Sequence, residues 1–84
     1  MGLGNTVVTV GPNPTTGLIR IVINGFDGKT HPDVYIYNTS GQTILSAKLS
    51  DSSIEMDISR YPGGIYIVSV VADDKFETYK IVKH

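Results

Sequence analysis

Gly64-Ile65-Tyr66-Ile67-Val68-Ser69-Val70-Val71-Ala72, an Asp73-Asp74 turn, and Lys75-Phe76-Glu77-Thr78-Tyr79-Lys80-Ile81-Val82-Lys83 decide the fold. Two strand-forming runs joined by a tight aspartate turn define a closing antiparallel hairpin. The first run is apolar on both faces, with Ile65, Ile67 and Val71 on one and Tyr66, Val68 and Val70 on the other, which suits the middle of a sheet. The second is more polar and alternates less cleanly. It reads as an edge or near-edge strand, whose lysines discourage pairing with another chain.

Upstream of the hairpin the same grammar repeats. Ser59-Arg60-Tyr61-Pro62-Gly63-Gly64 forms a bend, because Pro and paired Gly interrupt a ladder. Before it, Ile54, Met56 and Ile58 share one face while Glu55 and Asp57 point out, a half-buried strand. Gln42 to Leu49 is expected as a strand, entered through the Asn38-Thr39-Ser40-Gly41 turn, in which Gly41 supplies a left-handed position. Val34-Tyr35-Ile36-Tyr37 alternates aliphatic and aromatic residues and is placed centrally. Gly25 to Pro32 is a loop, Leu18 to Asn24 is a strand with Ile19, Ile21 and Ile23 on one face, and Thr6 to Val10 is a strand stopped by Gly11-Pro12-Asn13-Pro14.

Seven short strands at intervals of about ten residues, without helical periodicity, predict an all-β two-layer sandwich, with a small barrel as the alternative. The 84 residues make one domain, 6–84, preceded by a linker stub, 1–5. A chain this short buries roughly 60–65% of its unfolded surface, so its core is thin. No run approaches the ~20 apolar residues that span a bilayer, and the start has neither the basic nor the apolar region of a signal peptide.

Composition narrows the chemistry. A net charge of −1, with charges scattered singly, offers no stripe to neutralise phosphates, which argues against nucleic acid as a partner. The absence of cysteine removes disulfides, thiolate nucleophiles and Cys-based metal sites. His31 beside Pro32 and His84 at the end have no partner at ligand spacing and read as solvated. Asp27-Gly28 and Asp73-Asp74 lack the acidic spacing of a calcium loop and read as turns. Glu55 and Asp57 lie two apart on an exposed face with nothing to enclose them. No catalytic, cofactor or metal site emerges from these residues, and neither a cofactor nor an enzymatic activity is expected.

The tyrosines, Tyr35, Tyr37, Tyr61, Tyr66 and Tyr79, admit two readings: a platform that stacks sugar rings, or border residues with hydroxyls in water. The first would make the domain a carbohydrate-binding module of a surface enzyme. A stalk or spacer is a third possibility.

Four spaced motifs add a family resemblance: Pro12-Asn13-Pro14-Thr15-Thr16-Gly17; Val34 to Gln42; Asp57-Ile58-Ser59 followed by Gly64-Ile65-Tyr66-Ile67-Val68; and Lys80-Ile81-Val82-Lys83. Together, over Val10 to Lys83, the chain resembles the type A C-terminal sorting domains of the type IX secretion system. The family's P-N-P-x-x-G turn falls on Pro12, Asn13, Pro14 and Gly17, its Y-N-x-x-G-Q turn on Tyr37, Asn38, Gly41 and Gln42, its G-x-Y strand start on Gly64 and Tyr66, and its K-I-V-K end on Lys80, Ile81, Val82 and Lys83. Tyr61 departs from the family's usual Leu, and Asp73-Asp74-Lys75 lacks the common glycine.

The resemblance implies an immunoglobulin-like sandwich at the C-terminus of an exported Bacteroidetes-type protein. It implies passage through the periplasm, recognition by the outer-membrane translocon and its shuttle components, and delivery of the upstream cargo to the cell surface or medium. A cell-surface sortase then removes the domain and attaches the cargo to lipopolysaccharide. The last strand, as a terminal edge, is expected to offer itself for strand addition and to be read through its basic end.

Overall fold

The computed structural model describes residues 7–72 and 75–84. Seven strands occur in chain order: β1 (Val7–Gly11), β2 (Leu18–Asn24), β3 (Asp33–Tyr37), β4 (Thr43–Lys48), β5 (Ser53–Asp57), β6 (Gly64–Ala72) and β7 (Lys75–Lys83). They form a three-stranded sheet, β1-β2-β5, and a four-stranded sheet, β4-β3-β6-β7, antiparallel throughout. The two separate sheets make an immunoglobulin-like sandwich and rule against the barrel alternative.

Period-two alternation explains which residues are inside. Ile19, Ile21 and Ile23 of β2 face Val34 and Ile36 of β3 and Val68 and Val70 of β6 in one core, with Leu49, Met56, Ile58, Tyr66, Ala72 and Ile81 completing it. The apolar faces expected for β2 and β5 turn inward; β3 and β6, expected to be central, are the two central strands of their sheet, with Val34 and Ile36 of β3 and Tyr66, Val68 and Val70 of β6 on the inner side.

Three expectations need adjustment. The fourth strand starts at Thr43, not Gln42, because the Gln42 amide donates to Asn38 Oδ1 at 3.0 Å and belongs to the turn. β7 is an edge strand, yet its burial alternates strictly from Glu77 on: Glu77, Tyr79, Ile81 and Lys83 point inward and Thr78, Lys80 and Val82 outward. The alternation is hidden in the sequence because Glu77 and Lys83 take inward positions at the sandwich margin, where a long polar side chain buries its stem and keeps its head near solvent. Finally, three tyrosine hydroxyls bond to protein: Tyr61 donates to Ile44 O at 3.2 Å, Tyr79 to Glu77 Oε1 at 2.7 Å, and Tyr66 to Pro62 O. A buried hydroxyl needs a partner, and Tyr66 is only 5% exposed. The Thr6 start of the first strand and the Asp73-Asp74 turn lie outside the described residues.

Registers define the two poles. At one, Gly11 pairs with Arg20, Leu18 with Asp57, Tyr37 with Ile67, and Gly64 with Lys83. At the other, Val7 pairs with Asn24, and Asp33 with both Lys48 and Val71.

Candidate functional site

Every segment that carries a sequence motif ends at the first pole, although the motifs are spread over the whole chain. The β1–β2 turn, the β3–β4 turn, the β5–β6 crossover and the end of β7 meet there, and hydrogen bonds tie them together.

The β1–β2 turn leaves the three-stranded sheet and lies along the outer edge of β7. The Asn13 carboxamide takes the place of a peptide unit in a neighbouring strand: its Nδ2 donates to Lys80 O at 3.0 Å and its Oδ1 accepts from Val82 N at 2.9 Å. Two residues on, Thr15 forms a parallel bridge to Lys83, its amide donating to Val82 O at 2.9 Å while its carbonyl accepts from His84 N at 2.9 Å. Thr15 is 2% exposed, and its hydroxyl donates to Leu18 O at 2.7 Å and accepts from Gly17 N at 3.0 Å. The edge expected to be free for strand addition is therefore already paired over Lys80 to His84, by residues some seventy positions earlier.

Gly17 locks this turn to the β5–β6 crossover. Its carbonyl accepts from Ile58 N at 2.8 Å, and a Cβ on Gly17 would stand 2.7 Å from Ser59 Cβ. Its φ of +151° also disfavours a side chain. Asp57, next to that contact, is held below the usual carboxylate range by the Ser59 hydroxyl and the Ser59 amide, which donates at 2.8 Å.

The β3–β4 turn is organised by Asn38. Its Oδ1 accepts from Ser40 N and Gln42 N, both at 3.0 Å, and its Nδ2 donates to Gln42 Oε1 at 2.9 Å. The Asn38 backbone also donates to Gln42 O and accepts from Gly41 N at 3.0 Å, and Gly41 closes the turn at φ +83°. Tyr37 stands just before, on the outer face, its ring stacked on Tyr35 with centroids 6.2 Å apart at 23°. Beside this turn lies a concavity of about 240 Å³ lined by Asn38, Tyr61, Pro62, Gly64, Ile65 and others. Gly64, at φ +151°, opens β6, and Tyr66 plants its ring in the core with its hydroxyl on Pro62 O.

Of the motif residues, Thr15, Gly17, Tyr66, Ile81 and Lys83 are buried, whereas Pro12, Asn13, Pro14, Gly41, Gln42, Gly64, Lys80 and Val82 are exposed. The motifs thus mix scaffold with surface. Sequence reasoning missed the edge role of Asn13 and the buried Thr15, because a Pro-Asn-Pro run signals only a local turn.

The acidic and histidine candidates are accounted for locally. Asp27 Oδ1 accepts from Lys29 N and Thr30 N at 2.8 and 2.9 Å and forms the expected turn. Glu55 pairs with Arg20 at 2.6 Å. His31 is exposed, but it contacts Leu49 O through Nδ1 at 3.1 Å and lies 6.3 Å from the Phe26 ring, so it is anchored and not merely solvated. Among the described residues no three His, Cys, Asp or Glu gather as a metal cluster would require.

The described residues form an all-strand sandwich whose motif segments are fastened to one pole. Residues 9–84 match the model of the secretion system C-terminal sorting domain, and the chain belongs to that family. No curated protein matches it. Membership gives the domain a sorting role in type IX secretion, with the secretion machinery as its partner and the cell surface or medium as the destination. The family is a signal and not an enzyme family.

Proposed function

We propose that residues 6–84 are the folded export signal of a cargo that precedes them through the 1–5 linker, and that the outer-membrane translocon and its shuttle components read the motif pole. On this reading the domain crosses the periplasm with its cargo. At the cell surface a sortase cuts it away and attaches the cargo to lipopolysaccharide.

The observation that carries the reading is the placement of the two ends of the domain. Val7 enters beside Asn24 at one pole, and all the motif segments lie at the other. A cargo extending from the first strand leaves the motif pole uncovered. The Pro12, Asn13, Pro14 and Gly17 turn, the Tyr37, Asn38, Gly41 and Gln42 turn, the Gly64 and Tyr66 strand start and the Lys80, Ile81, Val82 and Lys83 end act together as that pole. Exposed members are offered to the reader, and buried members hold them in place.

The test is a periplasm-targeted fluorescent protein carrying the full chain at its C-terminus in a type IX-competent cell. Delivery to the surface or medium, with loss of about 9 kDa and gain of a lipopolysaccharide ladder, is expected. A fusion that folds yet stays in the periplasm overturns the reading. Removing Tyr79 to His84 is a poor probe, since it takes out Ile81, 1% exposed, from the core.

One observation favours the carbohydrate-module alternative: the stacked Tyr35–Tyr37 pair on the outer sheet face. Tyr61, Tyr66 and Tyr79 have their hydroxyls engaged elsewhere, so retardation in polysaccharide gels that disappears on Tyr35→Ala with Tyr37→Ala would support it.

A further inference from the structure

The two outer faces of the sandwich differ in character. On the three-stranded sheet the exposed apolar side chains, Val7 and Leu18, stand at opposite ends, opposite Asn24 and Asp57 respectively, and the charged residues are matched, Arg20 with Glu55 at 2.6 Å and Asp57 with the Ser59 amide. On the four-stranded sheet, alternation sends Ile65 and Ile67 of β6 outward beside Tyr35 and Tyr37 of β3 and Val82 of β7. The register sets Tyr37 next to Ile67, Ile67 next to Lys80, and Ile65 next to Val82. Ile65 is 40% and Val82 38% exposed. Apolar side chains gathered on the outside of a small domain mark a contact surface, because scattered exposure needs no explanation but a contiguous patch does.

Charge specifies what fits this patch. At the far pole Asp33 and Lys48 neutralise each other at 3.0 Å. Lys80 is exposed and forms no ion pair among the described residues, so the pole half of the face is apolar with one cation. Its complement is an apolar surface bearing a carboxylate. The stacked tyrosine rings hold one wall of the patch in place before any partner arrives, which lowers the ordering cost of contact.

Two further features decide how the contact is made. Asn13 and Thr15 occupy the β7 edge over Lys80 to His84, so a partner meets this end of the sheet face-on through side chains and not by adding a strand. The patch is also small. Three strands ~4.8 Å apart and about five residues of ~3.3 Å give on the order of 200 Å² per side. That falls well short of the roughly 800 Å² per partner of a stable assembly, which disfavours a second copy and suits a surface that is bound and then released.

We propose that the outer face of the four-stranded sheet at the motif pole, formed by Tyr37, Ile65, Ile67 and Val82 with Lys80 at its margin, docks a secretion-machinery protein surface of apolar side chains around a carboxylate. This rests on the sorting role proposed above.

The test uses the same fluorescent fusion. Ile65→Thr with Val82→Thr keeps residues suited to strands and removes the apolar contact; Lys80→Glu reverses the one charge without touching packing; Lys80→Arg keeps it. Val22→Thr on the other sheet is the control. The melting temperature of each purified fusion verifies folding. Expected are a drop in exported reporter of about tenfold for the double variant, a loss in the same direction for Lys80→Glu, and normal export for Lys80→Arg and Val22→Thr. If the double variant melts early, Lys80→Glu decides. Normal export of folded double and Lys80→Glu variants overturns the docking face while leaving the sorting role intact. Failure of the unmutated fusion to leave the periplasm overturns both. Concentration-dependent dimerisation that the double variant abolishes assigns the face to a second copy and also overturns the proposal.

Discussion

The Asn13 carboxamide bridges the outer edge of the last strand, giving a hydrogen bond to Lys80 O and taking one from Val82 N. It does for β7 what a neighbouring strand would do, using a side chain that ends in the same amide chemistry as the backbone. An exposed edge is a template for pairing with other chains, and a cap at one half of it blocks that route.

Asn13→Ala removes both bonds and leaves Val82 N and Lys80 O to water. Since the site is exposed, a loss of about 1–2 kcal/mol is expected in urea unfolding. Asn13→Asp retains the acceptor and loses the donor, so it should fall between Asn13→Ala and the unmutated protein. Hydrogen exchange at Val82 should accelerate in Asn13→Ala before exchange in β3 does, and an unchanged Val82 rate would show that the bridge contributes nothing.

Gly17→Ala tests the contact between the first turn and the β5–β6 crossover. The new Cβ meets Ser59 Cβ at 2.7 Å and Ser59 Cα at 2.9 Å, and the backbone at φ +151° resists a side chain as well. A loss of about 2–3 kcal/mol is expected, a large share of the stability of a domain this size. Ser59→Gly should rescue it only in part, because it frees the side-chain clash but neither the Cα approach nor the φ. Full rescue would assign the whole cost to the Ser59 side chain.

The strands were legible where local rules and tertiary placement agree. Leu18 to Asn24 reads as one element because Ile19, Ile21 and Ile23 repeat at period two between a glycine-bearing turn and a glycine-bearing loop, and β2 has those bounds. Gly64 to Ala72 is apolar on both sides and is central. The motif pole was legible only as separate turns. Nothing local in Pro12-Asn13-Pro14 says that Asn13 reaches Lys80 and Val82, and nothing in Glu77 or Lys83 says that either points inward. Both depend on how the two sheets are stacked. The hydroxyl partners of Tyr61 and Tyr66 are hidden for the same reason, being carbonyls set by the crossover and the β4 edge.

Asn38→Ala dismantles the second motif turn, which depends on three side-chain hydrogen bonds to Ser40 N, Gln42 N and Gln42 Oε1. The backbone bonds of Asn38 survive, so the hairpin remains but is looser, at a cost of about 1–2 kcal/mol. Asn38→Asp keeps both accepted bonds and should recover most of that loss. Thermal melts of the three proteins check the order, and Asn38→Asp no better than Asn38→Ala would show that the turn is held by its backbone alone.

Tyr79 gives the domain a titration at alkaline pH. Partial burial, with the Glu77 carboxylate accepting its hydroxyl, pushes its pKa up to about 12 from an ordinary 10.0. Below pH 10 the phenol is neutral in both folded and unfolded chains, and its contribution to stability is complete. Between pH 10 and about 12 the unfolded chain ionises while the folded chain resists, so that contribution is lost as the pH rises through the folded value. Tyr79→Phe lacks the titrating group. The stability difference between the unmutated protein and Tyr79→Phe, followed by circular dichroism in urea from pH 8 to 12, should therefore shift steadily against the unmutated protein above pH 10. Taking the difference cancels lysine titration common to both. A difference that stays flat across this range would mean that the Tyr79 phenol ionises alike in the folded and unfolded chains, with no folded-state protection from Glu77 or from burial.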